Sequence, residues 1–176
     1  MYDGSKFPDA QNRETTAEIT AFAHEHGVSV EAELGEVGGK NGVHDPSART
    51  NPEDAAKFVA DTGVDLLAVA VGSSHAMATR EAVLDNQLIA AIHELVPVPL
   101  VLHGSSGVPD EGMVAAIQAG MTKINVSTHL NVVFTQGVRQ ILDENPKIVD
   151  PRKYVGPATH LVQEEVERLM RLYAQA

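Results

Sequence analysis

Cysteine is absent from all 176 residues, and so is tryptophan. Without thiols the chain can form neither a disulfide framework nor a thiolate metal site, and a reducing compartment is compatible with it. Any metal must then be held by imidazole and carboxylate. Aromatic residues make up 4% of the chain against 43% hydrophobic residues overall, so a core has to be built from Ala, Val, Leu and Ile. Basic runs are missing as well. Thirteen Lys and Arg stand against 24 Asp and Glu, a formal net charge of -11, which argues against nucleic acid as a partner and disfavours anionic membrane surfaces. Apolar runs reach about eight residues at most, too short for a membrane-spanning helix. The polar, turn-like opening from Met1 to Ser5 does not read as a signal peptide. The expected location is cytoplasmic, and the length suits one domain, residues 1–176.

What the sequence does contain is organised around PLVLHGSSG, Pro99 to Gly107. An apolar run ends in His103 and passes into glycine and serine, the pattern of a buried strand delivering a potential metal ligand to a loop able to hold an anion. LLAVAVGSSH ends in the same way at His75.

In chain order, Asp3-Gly4-Ser5 and Pro8 form a loop of the kind that follows a strand. A helix is expected over 12–26, with Thr15 and Thr16 to cap or start it, Ile19, Phe22 and Ala23 on one face, and Gly27 as its stop. Residues 28–34 alternate apolar and polar and read as a strand with Glu31 and Glu33 on one face; such a pair also suits a solvated edge. Glycines 35, 38, 39 and 42 mark a long loop. A helix over 52–62 follows, with Pro52 in its first turn, acids at 53 and 54, and Gly63 at its end. Further elements are a strand over 64–71, a helix over 85–96 ended by Pro97 and Pro99, the His103 strand, a helix from Pro109 to Ala119, a strand over 122–127, and helices over 129–145 and 155–174. This alternation is the grammar of repeated βα units around a parallel sheet. The chemically loaded residues fall at the carboxyl ends of strands, where such folds place their sites. Four strands and a stub do not close an eight-stranded barrel of about 250 residues, so the sheet is either open or part of a barrel.

His75 and His103, at two strand ends, suit zinc, with Glu33 as the natural third ligand; the alternative is a pair of hydrogen-bonded loop histidines. Gly104 to Gly107 and Asn125 to Thr128 each lead into a helix and offer small residues, hydroxyls and backbone N–H groups, which is how a phosphate is held without a large basic residue. Singly, each is also an ordinary helix cap. His24, His26, His93 and His160 lie in helical patterns, His44 and His129 in loops near the rim, and Met77, Met113, Met121 and Met170 read as packing or loop residues.

These segments together resemble the class II, metal-dependent ketose-bisphosphate aldolases, the tagatose-bisphosphate type more than the fructose-bisphosphate type. MYDGS is similar to the family's MIDGS, SVEAELGEVGG to VEAELG..GG, RTNP to YTDP, DLLAVAVGSSH to DxLAVAIGxxH, PLVLHGSSG to PLVLHGxSG and TKINVST to KINVxT. The likeness runs from residue 1 to about 154 and implies an α/β fold, a partial (β/α)8 TIM barrel comprising about its second half, strands 4/5 to 8 with their helices. It implies reversible cleavage of a ketose 1,6-bisphosphate to dihydroxyacetone phosphate and an aldehyde such as glyceraldehyde 3-phosphate. The resemblance implies zinc held by His75, His103 and Glu33, and a phosphosugar held by Gly104, Ser106, Asn125, Ser127 and Thr128. It also implies a homo-oligomer, dimer or tetramer.

Four departures stand out. The family's third zinc histidine and its catalytic base share an HxDH motif that these residues do not contain, so no catalytic residue is assigned. Ala76 replaces the glycine after the first zinc histidine, Asn41 after Lys40 takes the place of a glutamate for proton transfer, and Arg80 answers a basic residue that follows the first histidine motif. Two readings follow: an aldolase complete only with a first half, whose absence leaves two open sheet edges that favour association, or a non-catalytic phosphosugar-binding or assembly protein.

Overall fold

The computed structural model describes residues 1–35, 49–74 and 79–174. The chain divides into two compact units, Met1–Asn125 and Val126–Ala176. The first is built from α1 (Asp9–Glu25), β1 (Glu31–Leu34), α2 (Pro52–Thr62), β2 (Leu66–Val69), α3 (Asn86–Leu95), β3 (Leu100–Leu102), α4 (Asp110–Gln118) and β4 (Met121–Ile124). The strands form one parallel sheet in the order β1-β2-β3-β4, so each neighbouring pair is joined by a helical crossover, as parallel pairing requires. Ahead of β1, Tyr2 makes a parallel bridge to Ala32, with its N–H donating to the Glu31 carbonyl at 2.8 Å. This is the stub expected before the first full strand.

Register decides what each face of the sheet carries. Glu31 pairs with Leu66, Glu33 with Ala68, Ala68 with Val101 and Val101 with Lys123, and paired residues point to the same side. One face therefore bears Glu31, Glu33, Ala68, Val101 and Lys123. The other bears Ala32, Leu67, Val69, Leu100 and Leu102, all buried, and the helices add Ala55, Phe58, Ile89 and Ile92 to the core. The strands are shorter than their apolar runs, because residues such as Val30 and Val71 continue the burial without continuing the ladder.

The helices show where local chemistry is sufficient and where it is not. α2 coincides with expectation: Asn51 accepts the Asp54 N–H, Pro52 opens the first turn and Gly63 ends it in the left-handed region. α1 differs. Its buried stripe is Asn12, Thr16 and Thr20, while Phe22 is 66% exposed. The polar stripe satisfies itself: Thr16 Oγ1 donates to Asn12 Oδ1 at 3.0 Å, Thr20 Oγ1 to the Thr16 carbonyl at 2.8 Å, and Asn12 Nδ2 to the Glu33 carbonyl at 3.1 Å. Short side chains at i, i+4 and i+8 thus let α1 lie close to the end of β1. Gly4 belongs to the same contact, since a Cβ there would overlap the Asn12 amide.

The second unit is a pair of helices, α5 (Thr128–Glu144) and α6 (Arg152–Tyr173). His129 meets Glu165 at 2.7 Å and Gly137 lies against Ala158 and Leu161, so the two run antiparallel. A Cβ at position 137 would stand 2.7 Å from Leu161; the close crossing depends on glycine there. α6 begins three residues earlier than its pattern suggests and carries Pro157 within it. His129, expected in a loop, is a helical residue paired to Glu165.

Asp65 joins three segments of the first unit: it accepts from His24 at 2.9 Å and from the Val30 N–H at 2.7 Å. The His24 hydrogen bond, helped by the Val30 N–H, holds its carboxyl below the ordinary range. A lowered carboxylate stabilises the fold above its unfolded value of 3.8 and ceases to as pH falls through the folded value. Denaturant titrations should therefore find Asp65→Asn less stable than the parent at pH 7, with the gap closing as pH falls below the unfolded value of 3.8. Phe58, fully buried, should lose about 3–5 kcal/mol on change to Ala by the same measurement.

Candidate active site

The sheet face carrying the glutamates is where the site forms. His103 follows β3 directly and is 4% exposed. Its Nδ1 lies 2.8 Å from Glu33 Oε2 and its Nε2 lies 3.0 Å from Glu31 Oε1. Glu33 is wholly buried and Glu31 nearly so. Both therefore form part of an interior cluster, and the solvated-edge alternative does not hold. Lys123 completes the cluster, its Nζ donating to the other oxygen of Glu31 at 2.6 Å.

These contacts demand curvature. In a flat sheet β1 and β4 would stand three strand spacings apart, roughly 14 Å, with their side chains parallel. A Lys123–Glu31 hydrogen bond is possible only if the sheet rolls so that this face becomes concave. The first unit is thus a barrel wall seen from inside, and the charged cluster lies within it.

Electrostatics follow from burial and pairing. Burial pushes the His103 imidazole toward its neutral form, but the hydrogen bonds to Glu33 and Glu31 outweigh it and raise its pKa above the usual 6.5. For Glu31, burial works against the charge, and Lys123 and His103 together overcome it and lower its pKa. A buried carboxylate without such partners would be costly.

The glycine and serine of the next loop have local reasons. Gly104 sits in the left-handed region, with φ of 67°, and a Cβ there would come within 2.6 Å of the Ser74 backbone. The loop after β3 is therefore pressed against the residue that precedes His75. His75 itself, with Ala76, Lys40, Asn41, His44 and Met77, lies outside the described residues. Ser105–Gly107 form a short 3-10 turn, so Gly104 and Ser106 stand on a turn ahead of α4 and not at its amino terminus, as expected from the sequence. Ser105 Oγ donates to the Asn125 carbonyl at 2.5 Å, and the Asn125 N–H donates to the Leu102 carbonyl at 3.1 Å. Asn125 is thereby pinned beside the His103 loop. Ser127 and Thr128 open α5 in the second unit, and Ser127 makes no side-chain cap. Arg80 donates to the Val108 carbonyl at 2.9 Å and pairs with Asp110, tying its loop to the start of α4.

Of the candidate metal ligands, His103 and Glu33 are in direct contact. Among the described residues no three His, Asp or Glu side chains converge on a single ion position, since Glu31 and Glu33 hold opposite edges of the ring. The donor chemistry nevertheless fits zinc: an imidazole nitrogen with buried carboxylates, one of which can orient the ring through its second nitrogen. Sequence reasoning missed Lys123 and gave Glu31 no role at the site. Alternation gave a usable signal for both, because Glu31 is two residues before Glu33 and Lys123 two before Asn125.

The family described as fructose-bisphosphate aldolase class-II matches residues 1–176. Solved structures agree. The YdjI aldolase from Escherichia coli K12 is 33% identical over 98% of this chain and 58% of its own, with a TM-score of 0.77. A Coccidioides immitis protein assigned as a fructose-1,6-biphosphate aldolase is 31% identical over 99% of this chain and 62% of its own, with a TM-score of 0.84. Fructose-bisphosphate aldolase from Campylobacter jejuni, 23% identical, shares the fold at a TM-score of 0.81 over 98% of this chain and 59% of its own. The chain spans about three fifths of the length of these structures, and its parallel sheet and helices are the corresponding part of an α/β barrel. With the family match running over every residue, the chain belongs to the class-II fructose-bisphosphate aldolase family.

Proposed function

We propose that this chain acts as the second half of a metal-dependent ketose-bisphosphate aldolase, with residues 1–176 forming one incomplete barrel domain. The reaction is reversible cleavage of a ketose 1,6-bisphosphate to dihydroxyacetone phosphate and an aldehyde such as glyceraldehyde 3-phosphate. The observation that carries this reading is His103, buried at the end of β3 between Glu33 and Glu31, with Gly104 pressed against the residue before His75. His75, His103 and Glu33 would hold zinc, which when bound supplies Lewis-acid polarisation of the ketone and counter-charge for the enediolate. Gly104, Ser106, Ser127 and Thr128 would hold the phosphate of the dihydroxyacetone phosphate half, and Asn125 would meet the oxygens near its reacting carbons. In support of this, α5 starts without an acidic residue in its first turn, whereas α2 and α4 each carry two; an anion there meets a helix N-terminus without a competing carboxylate. Cleavage needs a base to take the hydroxyl proton as the carbon–carbon bond breaks, and that base belongs to the HxDH segment of a first half. The assembled enzyme is proposed to be a cytoplasmic homo-oligomer, dimer or tetramer.

The alternative is a phosphosugar-binding protein without turnover, favoured by Asn41, whose amide cannot serve as a base. Supplying a first-half polypeptide bearing HxDH, under saturating zinc, should yield cleavage of fructose or tagatose 1,6-bisphosphate that a chelator abolishes. Persistent inactivity of that assembly would sink the aldolase reading. In the active assembly, Glu33→Gln should lower zinc affinity about 10–100-fold in a chelator competition.

A further inference from the structure

Lys123 has two partners on the concave face. Its Nζ lies 2.6 Å from Glu31 Oε2 and 2.9 Å from Asn125 Oδ1. An ammonium only donates, so the amide atom facing it must be the oxygen, and the Asn125 Nδ2 hydrogens must point elsewhere. The Asn125 backbone is fixed independently, by Ser105 Oγ on its carbonyl and by Leu102 on its N–H. With the main chain pinned and the oxygen claimed, the free choice left to the side chain is removed.

A break in the sheet supports this. Leu100 pairs with Met121, but the next residue, Val101, pairs with Lys123, so Thr122 is an extra residue in β4. Bulges of this kind re-aim a side chain. Here the bulge sets Lys123 opposite Val101, on the face that bears Glu31 and Glu33, where an unbroken ladder would set Thr122.

We infer that Lys123 is a positioning residue: it fixes the Asn125 amide with its N–H₂ as a donor toward the ligand, while its charge keeps Glu31 in place beside His103. The inference rests on the proposed function and extends it, since it names what makes Asn125 a donor for the hydroxyl and carbonyl oxygens of dihydroxyacetone phosphate.

The test is calorimetric titration of the chain, assembled with the HxDH-bearing first half, with dihydroxyacetone phosphate in the presence of zinc. Asn125→Asp keeps an acceptor for Lys123 and leaves the Lys123–Glu31 pair intact, but it cannot donate; binding should weaken about tenfold or more. Lys123→Met should weaken binding to a similar degree, and Lys123→Arg should stay within about threefold of the parent, because it retains both charge and donors. A purely structural bond between Lys123 and Asn125 would leave Asn125→Asp binding at the parental level, and that result overturns the inference. So does parental binding by Lys123→Met, with the functional reading left standing. Absence of binding by the parent assembly would overturn both. Because Lys123→Met leaves Glu31 without its cation, its melting transition is compared with that of the parent; should it not fold, Asn125→Asp and Lys123→Arg decide the matter.

Discussion

His103 bridges two strands that do not touch. β2 separates β1 from β3, yet the imidazole at the end of β3 is held by two carboxylates of β1. Two glutamates buried side by side would otherwise repel and lose hydration. Their presence on the inner face of an otherwise apolar strand is tolerated because His103 and Lys123 lie within hydrogen-bond reach, so charge balance and curvature support one another. The polar stripe of α1 fits the same requirement from outside, since Asn12 secures the Glu33 carbonyl while that residue's side chain is committed within.

The chain as a whole is strongly acidic, and the placement of that charge is uneven. Acids occupy the first turns of α2 and α4, where the helix dipole favours them. Inside the sheet the balance is different: the two buried glutamates are met by two side chains able to carry positive charge. The net charge of -11 therefore describes the exterior and gives little guidance to the field inside.

Much of the fold was legible in the sequence, for identifiable reasons. The order of elements followed from periodicity, and α2 matched to the residue because its start and stop are set by local chemistry at Asn51, Pro52 and Gly63. The inner face of α1 was not legible: a stripe of Asn and Thr has no hydrophobic period, and its burial is decided by the backbone it touches. The glutamate pair was visible as alternation, but whether it faced water or a histidine depended on how the sheet rolls, a property of several strands together. Lys123 was legible only by counting back from Asn125, because one extra residue in β4 resets the alternation when it is counted forward from Met121. His103 and Glu33 could be named from motifs, whereas their mutual contact required the fold.

Gly104 touches the backbone of Ser74, and backbone cannot be trimmed by substitution. A side chain at 104 would have to push aside the turn that leads to His75, so the loops after β2 and β3 are constrained to vary together. Insertions that lengthen one without reshaping the other would part Ser74 from Gly104. Variety among proteins built on this wall is therefore easier to accommodate on strands and helices away from that single point of contact.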